Sequence, residues 1–322
     1  MGQGQHSNGN AADHRSTWPW KISGILALVA MNAVWIAATD FRFDFASLAK
    51  VLALTAVLLA IGLFYRFSRA NPRFEVLCVE TIFLVTFSAA AAVTSYLVTS
   101  LNLPLIDGKL MAIDRMIGFD WVSYVTFVNE RPWLGIASSV FYVTTLSQVA
   151  LAVIVLGLIG PLKSAGQFVS AVILSASACI FVSGLLPAGG ALATIAPAAD
   201  FFGVNMPVVD LAYKQTFFDL RSGAERLISL DEPRGLIAFP SYHCTLSVLL
   251  ILASLPFHLV RWPVMIVNVL IILSTPIDGG HHLSDAFGGI AVALLVWKVS
   301  GGTVLGWRTN RVVLPSTGSA KP

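Results

Sequence analysis

Eight stretches of this chain are apolar for long enough to cross a lipid bilayer, and no other feature constrains its fold as tightly. They are Ile22–Thr39, Leu48–Tyr65, Val76–Leu101, Leu134–Ile159, Phe168–Leu186, Tyr242–Val260, Pro263–Ile277 and Leu283–Val299. A helix crossing the hydrocarbon needs roughly 20 mostly apolar residues, with about 17 to 25 as the usual range. Pro263–Ile277 is the shortest of the eight and falls just under that range. Composition points the same way: 56% of the 322 residues are hydrophobic and 11% charged, where a soluble domain carries about a quarter. The expected fold class is therefore all-α, a polytopic membrane helix bundle of about eight spans.

Charge sets the expected orientation. With the N-terminus inside, the inner segments hold Arg15, Lys21, Arg66, Arg69, Arg73, Lys163, Arg261, Lys298, Arg308, Arg311 and Lys321, against Asp13 and Glu75. Short loops rich in Lys and Arg stay cytoplasmic during insertion. Both termini are expected in the cytoplasm, in an inner or plasma membrane. Residues 1–20 read as a polar, disordered tail without a signal-peptide pattern, so the first span reads as a retained anchor. Cys78, Cys179 and Cys244 fall in or at spans, form no CxxC, and read as small packing residues.

Two outer segments carry more polarity than lipid solvation requires. Asn102–Pro132 contains Asp107, Lys109, Asp114, Arg115 and Asp120 beside Trp121. It reads as an interfacial helix lying on the membrane, either a connector or a wall of a substrate groove. Pro187–Phe239 holds Lys214, Arg221, Arg226 and Arg234 and runs into Pro240-Ser241-Tyr242-His243. Ser241 and His243 are expected at a helix N-terminus, where free N–H groups favour an anion. From His243 the chain descends and returns, surfacing at Asp278-Gly-Gly-His281-His282-Leu-Ser-Asp285. Residues four apart on a helix share a face, so Asp285 can accept a hydrogen bond from one nitrogen of His281 and leave the other free to attack. The Gly279–Gly280 pair lets backbone approach a ligand.

These residues resemble the type 2 phosphatidic acid phosphatase superfamily over roughly Val76–Val299. The second family motif, Pro-Ser-x-His, reads Pro240-Ser241-Tyr242-His243, and the third ends His-x3-Asp at His281 and Asp285. The first, Lys-x6-Arg-Pro, matches Lys214 and Arg221, with Ser222 in place of the proline. The third motif should open Ser-Arg, but Thr275 follows Ser274, so one phosphate-binding arginine is missing. Surrounding residues, including Leu105–Trp121, are similar to the inositol phosphorylceramide synthase branch, an inositolphosphotransferase-like group.

The resemblance implies six spans forming the phosphatase-like core. It divides the chain into the 1–20 tail, two extra spans over 21–75, the core over 76–300 and a tail over 301–322. It implies His281 as nucleophile forming a phosphohistidine, Asp285 as its orienter and His243 as general acid and base. Ser241, Lys214 and Arg221 are then the phosphate-binding residues, with Arg226 or Arg234 replacing the missing arginine. His282 reads as a neighbour of the site or a residue of the lipid interface. No metal or other cofactor is implied. The expected partners are a phospholipid, polyprenyl or sphingolipid phosphate and the membrane, with no nucleic acid, and the expected site is periplasmic or lumenal. Two other readings stay open. His243, His281, His282, Asp278 and Asp285 contain the ligand types of a metal site. Glu80, buried in the third span with Gln148 as its expected partner, is the kind of residue a transporter or lipid-flipping protein uses. The sequence names neither the lipid nor the acceptor.

Overall fold

The computed structural model describes residues 15–195, 199–203, 205–209, 211–231 and 234–300. Most of the expected N-terminal tail (1–14, with His6, Asp13 and His14) lies outside the described residues. So does the C-terminal tail 301–322, with Arg308, Arg311 and Lys321.

The chain folds as an all-α membrane bundle. The long helices are α1 (Trp18–Ala37), α2 (Phe45–Phe67) and α3 (Pro72–Thr99). Two short helices follow, α4 (Asp107–Met116) and α5 (Trp121–Asn129), then α6 (Pro132–Val143), α7 (Thr145–Leu158) and α8 (Leu162–Leu185). The remainder is α9 (Ala191–Ile195), α10 (Leu211–Ser222), α11 (Tyr242–Ser254), α12 (Arg261–Asp278) and α13 (Leu283–Val299). Among the described residues five helices are individually long and apolar enough to cross a membrane, and the α6–α7 pair makes a sixth if taken as one span. The span over Pro263–Ile277 becomes a full 18-residue helix. The Tyr242 span is instead shorter than expected, ending at Ser254 because Pro256 cannot continue it.

Local chemistry explains the helix ends. Asp44, Asn71 and Asp120 each accept a backbone N–H of the helix they precede. Gly118, with φ +80°, follows the end of α4. The expected single span Leu134–Ile159 is broken by a 40° bend at Thr144. There the Thr144 and Thr145 hydroxyls donate to the carbonyls of Phe141 and Tyr142, competing with the helix ladder.

Helix α8 is the centre of the bundle. Ala165, Phe168, Val169, Ala171 and Val172 are buried in a cluster with Phe83 and Phe87 of α3, Val153 of α7, Leu249 of α11 and Ala293 of α13. Helices α1 and α2 lie outside it with most of their apolar side chains exposed, as lipid contact requires. Asn32 of α1 donates to the Ala90 carbonyl of α3 and accepts from the Thr94 hydroxyl. The Glu80 carboxylate does not meet Gln148. It forms a 2.6 Å ion pair with Lys21, both side chains fully buried, and accepts from the Trp18 indole at 3.0 Å. Gln148 instead accepts from Asn268. Lys21 lies three residues into α1, so its stem reaches down to Glu80 instead of staying in the inner loop.

The two ends of the bundle are distinct. Arg15, Arg66 and Glu75 gather at one. At the other, β1 (Arg42–Phe43) pairs in parallel with β2 (Leu227–Ile228). The carbonyl of Pro187 accepts from Ile106, and that of Gly280 from Leu192. The candidate residues lie at this second end.

Candidate functional site

Three helix ends meet to build the site. Ser241 caps α11, Gly279–His282 links α12 to α13, and the bend below Tyr142 turns α6 toward both. Ser241 is fully buried, and its hydroxyl faces the Cys244 N–H at 3.5 Å. Its own N–H donates to the Asp285 carbonyl, tying the start of α11 to the start of α13. Gly289 makes that approach possible, since a side chain there would run into the Ser241 carbonyl.

The spacing of His281 and Asp285 produces the expected pair. His281 Nδ1 lies 3.2 Å from Asp285 Oδ2, with His281 5% and Asp285 0% exposed. The same oxygen accepts the His282 N–H at 2.9 Å, so one carboxylate caps α13 and orients the imidazole together. A carboxylate at Nδ1 selects the tautomer with its proton there and leaves the Nε2 lone pair available. Nε2 faces the Ser241 hydroxyl at 3.5 Å. Burial, aided by the neighbouring His282 and opposed by a hydrogen bond to Ala238, brings the His281 imidazole down to about 4.

His243 packs against Tyr142. Its Nδ1 is 3.1 Å from the Tyr142 hydroxyl, and the two rings stack with centroids 4.2 Å apart. A first side-chain carbon at Gly279 would lie 2.5 Å from Cδ2 of His281 and 2.8 Å from the Tyr142 oxygen. Gly279 thus lies between His281 and the Tyr142 hydroxyl that His243 contacts. Gly280, at φ +63°, packs against Leu192, so that glycine serves a protein contact where a ligand contact was expected.

The cationic residues are placed less centrally. Lys214 and Arg221 are seven apart on α10, hence on one face, but among the described residues no contact joins either to His243 or His281. Lys214 has no hydrogen-bonding partner there. Arg221 donates through Nη2 to the Leu103 carbonyl at 2.7 Å, while its Nη1 is buried without an acceptor. Burial lowers the Arg221 guanidinium, against the pull of Asp107. Thr275, in the position of the missing arginine, is fully buried and accepts the Cys244 thiol at 3.4 Å. Arg226 does not replace it: its Nε lies 3.3 Å from Asp40 and its guanidinium covers the Phe41 ring. Arg234 is held through its backbone N–H by the Tyr96 hydroxyl.

The 102–132 segment packs down on the site. Asp107 and Asp114, buried on one face of α4, contact His282 from the side opposite His281. Trp121 donates to the Pro276 carbonyl and Tyr124 to that of Leu273, fastening α5 to α12. Asp278 is engaged by Ser138 and Ser139 of α6. Among the described residues no three His, Cys, Asp or Glu side chains are grouped to hold a metal. Tyr142 is the site side chain that the sequence does not single out. Its signal is faint, a tyrosine in an otherwise apolar span just before Thr144-Thr145.

A family model described as the PAP2 superfamily matches residues 108–299. No curated protein and no solved structure gave a match.

Proposed function

This chain belongs to the PAP2 superfamily, and on that premise we propose that it transfers the phosphoryl group of a membrane lipid phosphate through a phosphohistidine formed on His281. The observation that carries the proposal is the orientation of one buried imidazole, with Nδ1 against Asp285 and Nε2 beside Ser241. Superfamily members are generally phosphatases or phosphotransferases, and this is the arrangement an in-line attack on phosphorus needs.

In the first step the Nε2 lone pair attacks phosphorus and the bond from phosphorus to the leaving oxygen breaks. His243, which the phosphate charge of a bound substrate would favour as its imidazolium, gives that oxygen a proton. Asp285 stabilises the charge that develops on His281. Ser241, Lys214 and the Arg221 Nη1, the last two without a hydrogen-bonding partner among the described residues, supply hydrogen bonds to the equatorial oxygens, which strengthen as charge builds. In the second step His243 takes a proton from the incoming hydroxyl, the new O–P bond forms and the N–P bond breaks.

A specific observation favours an organic hydroxyl over water as the acceptor. His281 and Asp285 are almost wholly buried, and α4 and α5 close over the loop that carries them. That fits the transferase branch, similar to inositol phosphorylceramide synthase. The excess of Lys and Arg at the opposite end supports a non-cytoplasmic site.

Incubating the purified protein with a panel of lipid phosphates, with and without ceramide or diacylglycerol, tests the proposal. An acceptor-dependent new phospholipid without free phosphate is expected. Phosphate release indifferent to the acceptor would replace transfer by hydrolysis, and no turnover of any lipid phosphate would remove both.

A further inference from the structure

Helix α4 holds the loop beside His281 through two carboxylates and one imidazole. Asp107 and Asp114 are seven residues apart, two turns of one helix face, and both are buried. Asp107 accepts the N–H groups of Gly189 and Gly190 at 3.0 and 2.9 Å and faces His282 Nε2 at 3.3 Å. Asp114 accepts the N–H groups of Leu283 and Ser284 at 2.9 and 2.8 Å, the first two residues of α13, and its Oδ2 lies 3.7 Å from His282 Nδ1. Nε2 of His282 thus has Asp107 at hydrogen-bonding distance, while Asp114 lies beside the ring at 3.7 Å from Nδ1, too far for a hydrogen bond but close enough for its charge to favour the imidazolium.

We infer that Asp107 and Asp114 are positioning residues that grip His282 as an imidazolium and thereby hold the adjoining His281 against Ser241 and Asp285. The inference rests on the function proposed above. Geometry gives the reason. His281 and His282 are consecutive, Gly279 and Gly280 before them offer no side-chain restraint, and Asp114 holds the two residues after His282 as well. The grip on His282 comes from across the loop and fixes the backbone that aims the nucleophile.

The charges around His282 agree. Asp107 and Asp114 face it from α4, Asp285 from α13, and His281 from the same loop, while Arg115 of α4 and Asp120, which caps α5, line the adjoining cavity. Burial opposes its protonation, yet the hydrogen bond to Asp107 and the three carboxylates prevail and raise it above its ordinary value. The imidazolium is thus fully present below about pH 6.5. The grip weakens as pH rises through the higher folded-state value.

The test compares purified H282Q and D114N with wild type and H281A, reading kcat and KM on a lipid phosphate across pH, with thermal midpoints. Gln keeps a donor for Asp107 but cannot titrate. H282Q is expected to fold, to lose at least about tenfold in kcat with KM little changed, and to lose the alkaline limb that His282 contributes to the wild-type kcat profile, keeping only the fall set by His243. D114N is expected to keep that limb and move it to lower pH. A folded H282Q with wild-type kcat and an intact limb overturns the inference. If H282Q does not fold, an unmoved limb in D114N overturns it. Full activity in H281A is a different outcome, which removes the phosphohistidine reading itself.

Discussion

The ring of Tyr142 lies on the ring of His243, 4.2 Å between centroids and 20° from parallel, with its hydroxyl 3.1 Å from Nδ1. The contact joins a bent helix to the mouth of α11 and turns the Nε2 of His243 away from α6. Tyr142→Phe keeps the stack and removes one hydrogen bond, a net loss of about 1 kcal/mol. Its kcat should fall roughly fivefold to tenfold with KM unchanged. A larger effect on KM than on kcat would place Tyr142 in lipid binding instead.

His281→Ala and Asp285→Ala should each lower turnover by at least about 10³-fold, and the double variant should be little worse, because residues acting as a unit are not additive. A rapidly quenched reaction with ³²P-labelled lipid phosphate should leave acid-labile label on the wild-type protein and none on His281→Ala. Label surviving in that variant would transfer the nucleophile's role elsewhere.

Any first side-chain carbon at Gly279 meets both His281 and the Tyr142 hydroxyl. Gly279→Ala should cost about 10²-fold in kcat, the penalty of displacing reacting groups by about an ångström. The thermal midpoint in detergent, measured alongside, should change far less than the rate does.

Activity should persist in mildly acidic solution. A nucleophilic imidazole works when neutral, and burial brings His281 down to about 4, below the ordinary value near 6.5. It is therefore neutral across the range from about pH 4 to 6.5, where a free imidazole would be charged. The acid limb attributable to the nucleophile, read from single-turnover formation of the phosphoenzyme, should fall near pH 4. A limb near pH 6.5 would show that His281 is solvated during attack.

The Lys21–Glu80 pair should be a stability element independent of the chemistry. Lys21→Met or Glu80→Gln leaves one partner without its countercharge, at a cost of about 3–5 kcal/mol. The double variant should recover much of that, and the folded fraction of each should keep its specific activity. Loss of catalysis without loss of stability would instead give Glu80 a functional role.

How far the sequence reveals this arrangement depends on how local each interaction is. The helices were legible because lipid imposes length and apolarity on each span separately. Ser241, His281 and Asp285 were legible because a helix cap and a four-residue spacing convert directly into geometry. Asp107 and Asp114 were visible only as polar residues of an interfacial helix. Nothing local says that they reach amides some eighty and one hundred and seventy positions away. Glu80 misled for a similar reason. Its partner lies in the preceding helix, where Lys21 reads as an ordinary inner-end charge, and Gln148 is merely a polar residue within a span. The bend at Thr144 is set by two hydroxyls whose effect on a helix is too weak to separate from a straight span.

The parallel pairing of β1 with β2 carries a last consequence. It amounts to two residue pairs, Arg42 with Leu227 and Phe43 with Ile228. Around it Ser229 donates to Asp44, Leu230 to the Ser47 hydroxyl, and Lys50 meets Asp231. Every one of these ties the α1–α2 turn to the chain between Arg221 and Pro240. The first two helices lie outside the residues matched by the family model, yet they splint the strap that leads from Lys214 and Arg221 to Ser241 and His243. A shortened chain beginning at Pro72 would keep every residue assigned to the chemistry and lose the brace that spaces them, so its deficit should appear in the alignment of the motifs and not in their composition.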